Sequence, residues 1–131
     1  MFGIFILSKS TMGTFRQLLV YKKGFELAQE IYSITKNFPK EELYSLTDQI
    51  RRSSRSVCAN IGEGYRKRKY PKHFISKLSD SDMENSETQV WLDFALANHY
   101  ISQQIYLELD NKADEIARLL NYMMNNVEKF Q

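Results

Sequence analysis

From Lys72 to Gln131 the chain runs for sixty residues without one proline or glycine. A stretch lacking both breakers reads as helix. As a single helix it would extend about 90 Å, too long for one compact domain, so it must turn back on itself. The segment "ANHYISQQ" is the expected place. Asn98 and His99 are weak helix formers, and Ser102 can cap the turn that follows.

Apolar spacing extends the helical pattern to the rest of the chain. In the first helix Leu18, Tyr21, Phe25, Ala28, Tyr32 and Thr35 recur every three or four residues, and Leu27, Ile31, Ile34 and Phe38 widen the stripe. Pro39 cannot continue it. A second helix is expected from Ser45, which would cap it with Asp48 three residues on; Leu46, Ile50, Val57 and Ile61 form its apolar face, and Gly62 and Gly64 would end it. Pro71 suits the first turn of a third helix, with Phe74, Leu78, Leu92 and Ala95 in period. In the fourth, Ile105, Leu109, Ala113, Ile116, Leu120, Met123, Val127 and Phe130 step by four or three throughout.

Short connections make long neighbouring helices antiparallel, so the expected fold is all-α, an up-down-up-down four-helix bundle. Residues 1–14 are expected to be a frayed N-terminal extension, with Met1 or Met12 as the start. Residues 15–131 form one domain, with helices over about 15–37, 45–62, 71–98 and 103–130. A chain of 131 residues can bury an adequate core without staples. The single cysteine, Cys58, excludes an internal disulfide, fits a reducing compartment and reads as a small apolar filler. No segment is apolar for long enough to span a bilayer, and the start lacks the flanks of a signal peptide, so a soluble cytoplasmic protein is expected.

Polar residues occupy the middle of two helices. Ser53, Ser54, Ser56, Cys58 and Ala59 make the second helix thin, and Asn60 falls where the rhythm wants an apolar side chain. With Ser81, Asn85 and Thr88 it would form a buried polar layer that fixes register or lines a ligand niche. No reaction is evident. The residues three before His73 and His99 are Tyr70 and Leu96, so the Glu-x-x-His pairs of di-iron bundles are missing. Two histidines and one cysteine far apart in sequence do not make a zinc site, no base stands beside the serines, and Gly62-Glu63-Gly64 lacks the length of a phosphate loop. Glu63 is expected to pair with a nearby arginine. No cofactor, no metal and no enzymatic activity are expected.

Charge is the remaining signal. The formal +2 hides a division: residues 40–79 carry ten Lys/Arg against four Asp/Glu, whereas residues 80–131 carry three against ten. Arg51, Arg52 and Arg55 lie on the second helix, and Arg66, Lys67, Arg68, Lys69 and Lys72 crowd the next connection. Asp48 can pair with Arg51 or Arg52, while Arg51 and Arg55, four apart, repel. Either acidic helices of the same or a neighbouring subunit answer these cations, or a polyanion does. Tyr65 and Tyr70 bracket the "RKRK" run, and rings beside cations can stack on unpaired bases.

"LTDQIRRSSRSVCANIGEGYRKR" (46–68), with "FELAQEIYSITKNFPKEELYSL", "SETQVWLDFALANHYIS" and "LLNYMMNNVEKF", resembles the bacterial four-helix-bundle family of 23S ribosomal RNA intervening-sequence proteins over residues 18–130. Arg51, Arg52, Asn60, Glu63 and Gly64 match its motif, and Glu87 matches its third-helix glutamate. Cys58 departs from the pattern, and the first eleven residues have no counterpart. The resemblance implies an antiparallel bundle closing into a homo-oligomeric ring, a pentamer. It also implies a nucleic-acid or polymerase-binding accessory role, like that of related proteins accompanying the reverse transcriptases of diversity-generating retroelements. No catalytic role is carried over. Two expectations follow: a non-enzymatic ring that binds RNA or another nucleic acid through the eight cations, or a protein-interaction scaffold whose arginines serve subunit contacts.

Overall fold

A computed structural model describes residues 14–131. They form α1 (Leu19–Thr35), α2 (Leu46–Arg66), α3 (Pro71–Ala97) and α4 (Gln103–Asn125), with single 3-10 turns at Phe15–Gln17, Lys40–Glu42 and Val127–Phe130. No strand occurs among the described residues. The expectation for residues 1–13 lies outside them; Thr14, placed in the extension from sequence, caps the first 3-10 turn by accepting the Arg16 N–H at 3.2 Å.

The reversal falls inside "ANHYISQQ". His99 adopts a left-handed φ of 62°, and the Tyr100 N–H returns to the Ala95 carbonyl at 2.9 Å, closing α3. Ser102 then caps α4, its Oγ accepting the Ile105 N–H at 3.1 Å. Pro71 begins α3 as expected. At α2 the expected cap is replaced. Ser45 makes no capping bond; its hydroxyl donates to Glu42 Oε1 at 2.6 Å, and that oxygen, reaching over from the preceding 3-10 turn, accepts the Leu46 N–H at 3.4 Å. With Tyr100 also donating to Glu42 Oε2 at 2.8 Å, these bonds hold the Glu42 carboxyl below its ordinary range.

α2 does not stop at its glycines. It continues through Gly62 and Gly64 to Arg66, and Gly64 serves close approach rather than termination. A Cβ on Gly64 would sit 2.9 Å from Lys77 Cβ on α3, closer than carbon atoms pack. Gly64→Ala is therefore expected to destabilise the fold. Overpacking of about 1–3 kcal/mol outweighs the gain in helix propensity of about 1 kcal/mol. Thermal melting should show a fall of a few degrees; a rise would mean that α2 and α3 are not in close contact there.

Each helix packs on the next, and α1 closes against α4. Side-chain contacts pair rising numbers with falling ones. Thr35 meets Arg51 and Tyr21 meets Cys58 between α1 and α2; Arg52 meets Glu87 and Val57 meets Ser81 between α2 and α3. Gln89 reaches Asp114 between α3 and α4, and Lys112 of α4 reaches Glu26 and Glu30 of α1. Ile31, Ile50, Ile61, Phe74, Leu78, Leu92, Ile116 and Leu120 are fully buried at the centre. On α1 the buried row is Val20, Gly24, Leu27 and Ile31, with Ala28 and Thr35 beside it. Tyr21 and Phe25 are only half-buried and Tyr32 is exposed, which corrects the row expected to lead.

The polar layer exists with one change of membership. Ser53 and Thr88 share a hydrogen bond at 2.8 Å, Ser81 donates to the Val57 carbonyl at 2.9 Å, and Asn85 donates to the Ala113 carbonyl at 2.8 Å. Such bonds tie three helices in one register. Asn60 is outside the layer: half-buried, it donates back to the Ser56 carbonyl at 2.9 Å. Cys58 packs under α1, and burial pushes its thiol up to about 12, which keeps it un-ionised.

Candidate nucleic-acid interface

The basic residues occupy one side of α2 and the turn beyond it. Eleven residues separate Arg55 from Arg66, about three helical turns and 16 Å, so Arg51, Arg55 and Arg66 share a face. Between them Ser56, Ala59 and Gly62 form a low floor. Asp48, Arg51, Arg52, Arg55, Ser56 and Ala59 line a shallow groove of about 450 Å³, which adjoins a second of about 390 Å³ lined by Phe15, Tyr21, Cys58, Ala59, Gly62, Glu63 and Arg66, so one carboxylate stands in each beside the cations. Thin side chains keep both grooves open, and the cations stand at their rims.

The arginines behave differently from one another. Arg52 turns toward α3, where its Nη2 donates to both carboxylate oxygens of Glu87, at 3.2 and 3.1 Å, and its Nη1 lies 3.8 Å from Glu84. Burial, then the neighbouring Glu87, raises the Glu84 carboxyl above its usual range. Arg51 turns toward α1: its Nε donates to Thr35 Oγ1 at 2.8 Å and its guanidinium lies 4.7 Å from the Tyr32 ring centroid. Arg55 lies 5.5 Å from the same ring. The expected pairing of Asp48 with Arg51 or Arg52 is not made, since each guanidinium is held from a neighbouring helix instead.

A family model described as "23S rRNA-intervening sequence protein" matches residues 16–122. The chain belongs to that family. A crystal structure from Bacteroides thetaiotaomicron VPI-5482, described as a protein with unknown function from the S23 ribosomal protein family, is similar at 29% identity with a TM-score of 0.74, covering 82% of this chain and 96% of that one. No curated protein matches the sequence.

Several of the residues on which the resemblance rests hold α2 to α3. Arg52 meets Glu87, and Gly64 lets Lys77 approach. Glu63 pairs at 2.7 Å with Lys77 rather than with an arginine, because it points across to α3; the bond raises the Lys77 ammonium. Of the eight cations singled out from sequence, Arg52 alone has a carboxylate partner among the described residues. Residues 1–13 contain no Asp or Glu that could supply another.

In the connection, Arg66, Lys67 and Lys69 are exposed, as is Lys72 at the start of α3. Arg68 folds back, donating to the Tyr65 carbonyl at 2.9 Å with its guanidinium 4.2 Å from the Tyr65 ring. Tyr65 is buried against Phe74, and its hydroxyl accepts from Gln17 at 3.2 Å, so it has no free face for a base. Tyr70, 59% exposed, keeps that capacity. Sequence reasoning missed the contacts of Tyr32, Thr35 and Lys36 on α1 and just beyond it: Tyr32 and Thr35 meet Arg51, and the Tyr32 ring also has Arg55 and Lys36 near it. The helical period placed Tyr32 and Thr35 in the core, and no motif marks Lys36. Among the described residues no three His, Cys, Asp or Glu side chains come together as a metal site, and no helix is long and apolar enough to cross a membrane.

Proposed function

We propose that this chain is a non-enzymatic helical bundle that binds RNA, or another nucleic acid, through the exposed strip from Arg51 and Arg55 to the 66–72 connection. One observation supports the reading: among the described residues seven of the eight cations lack a carboxylate partner, although the chain carries sixteen acidic residues. Some of the acids are committed elsewhere, Glu63 to Lys77 and Glu26 and Glu30 to Lys112, and Asp48, although it lines the groove, forms no ion pair with its arginines. Like charges left together on a rigid face favour a ligand that brings phosphates. Anisotropy of a labelled unstructured RNA should show affinity falling about 100-fold between 50 and 200 mM salt if five cations meet phosphates. Salt-insensitive binding, or none at 50 mM, would overturn the reading.

A second reading, a self-associating scaffold, is favoured by the outer face of α3. Met83, Val90 and Phe94 fall on one face and are 66%, 46% and 52% exposed. The occupant is a second copy. The excess of cations in 40–79 complements the excess of acids in 80–131, and one patch meeting a different patch on the next copy generates rings, as the pentamer expectation requires. Phe94→Asp is expected to shift sedimentation toward the monomer with little change in melting temperature, because the ring is half in solvent. An unchanged sedimentation coefficient would remove this face from assembly.

A further inference from the structure

We propose that Lys36, Arg51 and Arg55 around Tyr32 form a discrete phosphate-binding subsite, which clamps one phosphodiester of a bound strand. The inference depends on the nucleic-acid reading above and locates a contact that the basic run alone does not reveal. Lys36 Nζ lies 4.9 Å, the Arg51 guanidinium 4.7 Å and the Arg55 guanidinium 5.5 Å from one ring centroid. Three cations at one tyrosine repel each other, and the ring quadrupole offsets only part of that. No carboxylate pairs with any of them among the described residues.

The cluster is also preorganised. Thr35 is buried; its hydroxyl donates to the Tyr32 carbonyl at 2.9 Å and accepts from Arg51 Nε at 2.8 Å. That bond commits one guanidinium nitrogen to the protein and leaves the terminal two for a ligand. Two guanidinium groups and an ammonium, each within 5.5 Å of one ring centroid, suit a tetrahedral anion with several acceptor oxygens. The groove adjoins, at Ala59, a second one lined by Gly62, Glu63 and Arg66, and with Glu63 drawn to Lys77 a strand held here is led toward the 66–72 connection.

The test uses the full chain and a fluorescein-labelled unstructured single-stranded RNA, titrated at several salt concentrations. Lys36→Gln and Arg55→Gln are each expected to weaken binding about three- to tenfold at low salt and to flatten the salt dependence by up to about one phosphate contact. Thr35→Val is expected to weaken binding while leaving the salt slope unchanged, because it misplaces Arg51 without removing charge. Arg118→Gln, an exposed cation on α4, is the control and should bind like the parent. Parental affinity and slope in Lys36→Gln and Arg55→Gln, with salt-sensitive binding by the parent, would overturn the subsite and spare the wider reading. No binding by the parent would overturn both. Dissociation of an oligomer by Lys36→Gln with RNA binding intact would assign the cluster to contacts between copies and overturn the subsite. Lys36 is exposed, so that variant tests the proposal even if Thr35→Val fails to fold.

Discussion

Reversing Arg66, Lys67, Arg68 and Lys69 to glutamate is expected to weaken RNA binding by at least about 100-fold at 50 mM salt and to flatten most of the remaining salt dependence. Every phosphate of a single strand that is no longer neutralised takes about 0.7 off the log–log salt slope, so removing four cations approaches the whole effect expected of the strip. Little stability should be lost. Three of the four side chains are exposed and none is ion-paired; Arg68 contributes one bond to a carbonyl and one contact with a ring. Reversed charge also penalises any residual approach of the strand. The same variant discriminates between the two readings of the arginines. If it leaves RNA affinity intact while the oligomer separates in sedimentation, the connection meets the acidic face of another copy.

Phe74→Ala is expected to cost about 3–5 kcal/mol, seen as a fall in Tm of roughly 10 °C or more. Phe74 is a large, fully buried side chain, three residues into α3. Its ring meets Tyr65 edge-on, with centroids 6.4 Å apart, and lies against the space above Gly64. Through Tyr65 it also supports the ring on which Arg68 rests. Truncation leaves a cavity where α2 and α3 are closest, and there is no spare side chain to fill it. RNA binding by the folded fraction should fall only modestly, since the exposed cations keep their charge. A melting temperature within two or three degrees of the parent would show that the 67–70 turn is not anchored by this pair.

Much of the fold was legible in the residues themselves. The sixty-residue stretch without a breaker had to turn, and it turns between His99 and Ser102 because a left-handed residue and a capping hydroxyl stand three positions apart. Helix ends were read less well. Gly62 and Gly64 carry the signature of a terminus, yet the helix passes through them; Gly64, facing α3, has a second use that local sequence does not reveal. Ser45 looked like a cap, but the carboxylate that caps α2 comes from Glu42 in the preceding turn.

The basic strip was visible as a cluster of residue types, but its internal division was not. Arg51 and Arg52 are adjacent in sequence and point to different helices, one to Thr35 and Tyr32, the other to Glu87. Tyr32 carried a core signal from its spacing and ended beside three cations. Tyr65 carried a stacking signal and ended buried.

The amino-acid pattern alone determined a helical protein with four amphipathic segments, a polar middle and an uneven division of charge. These depend on periodicity and on breaker placement, which are local properties of a chain. Which cations are neutralised, which ring is covered and which glycine is a contact were decided only when the helices packed. Each of those outcomes is set by the distance to a side chain dozens of positions away, and the separation along the chain does not encode it.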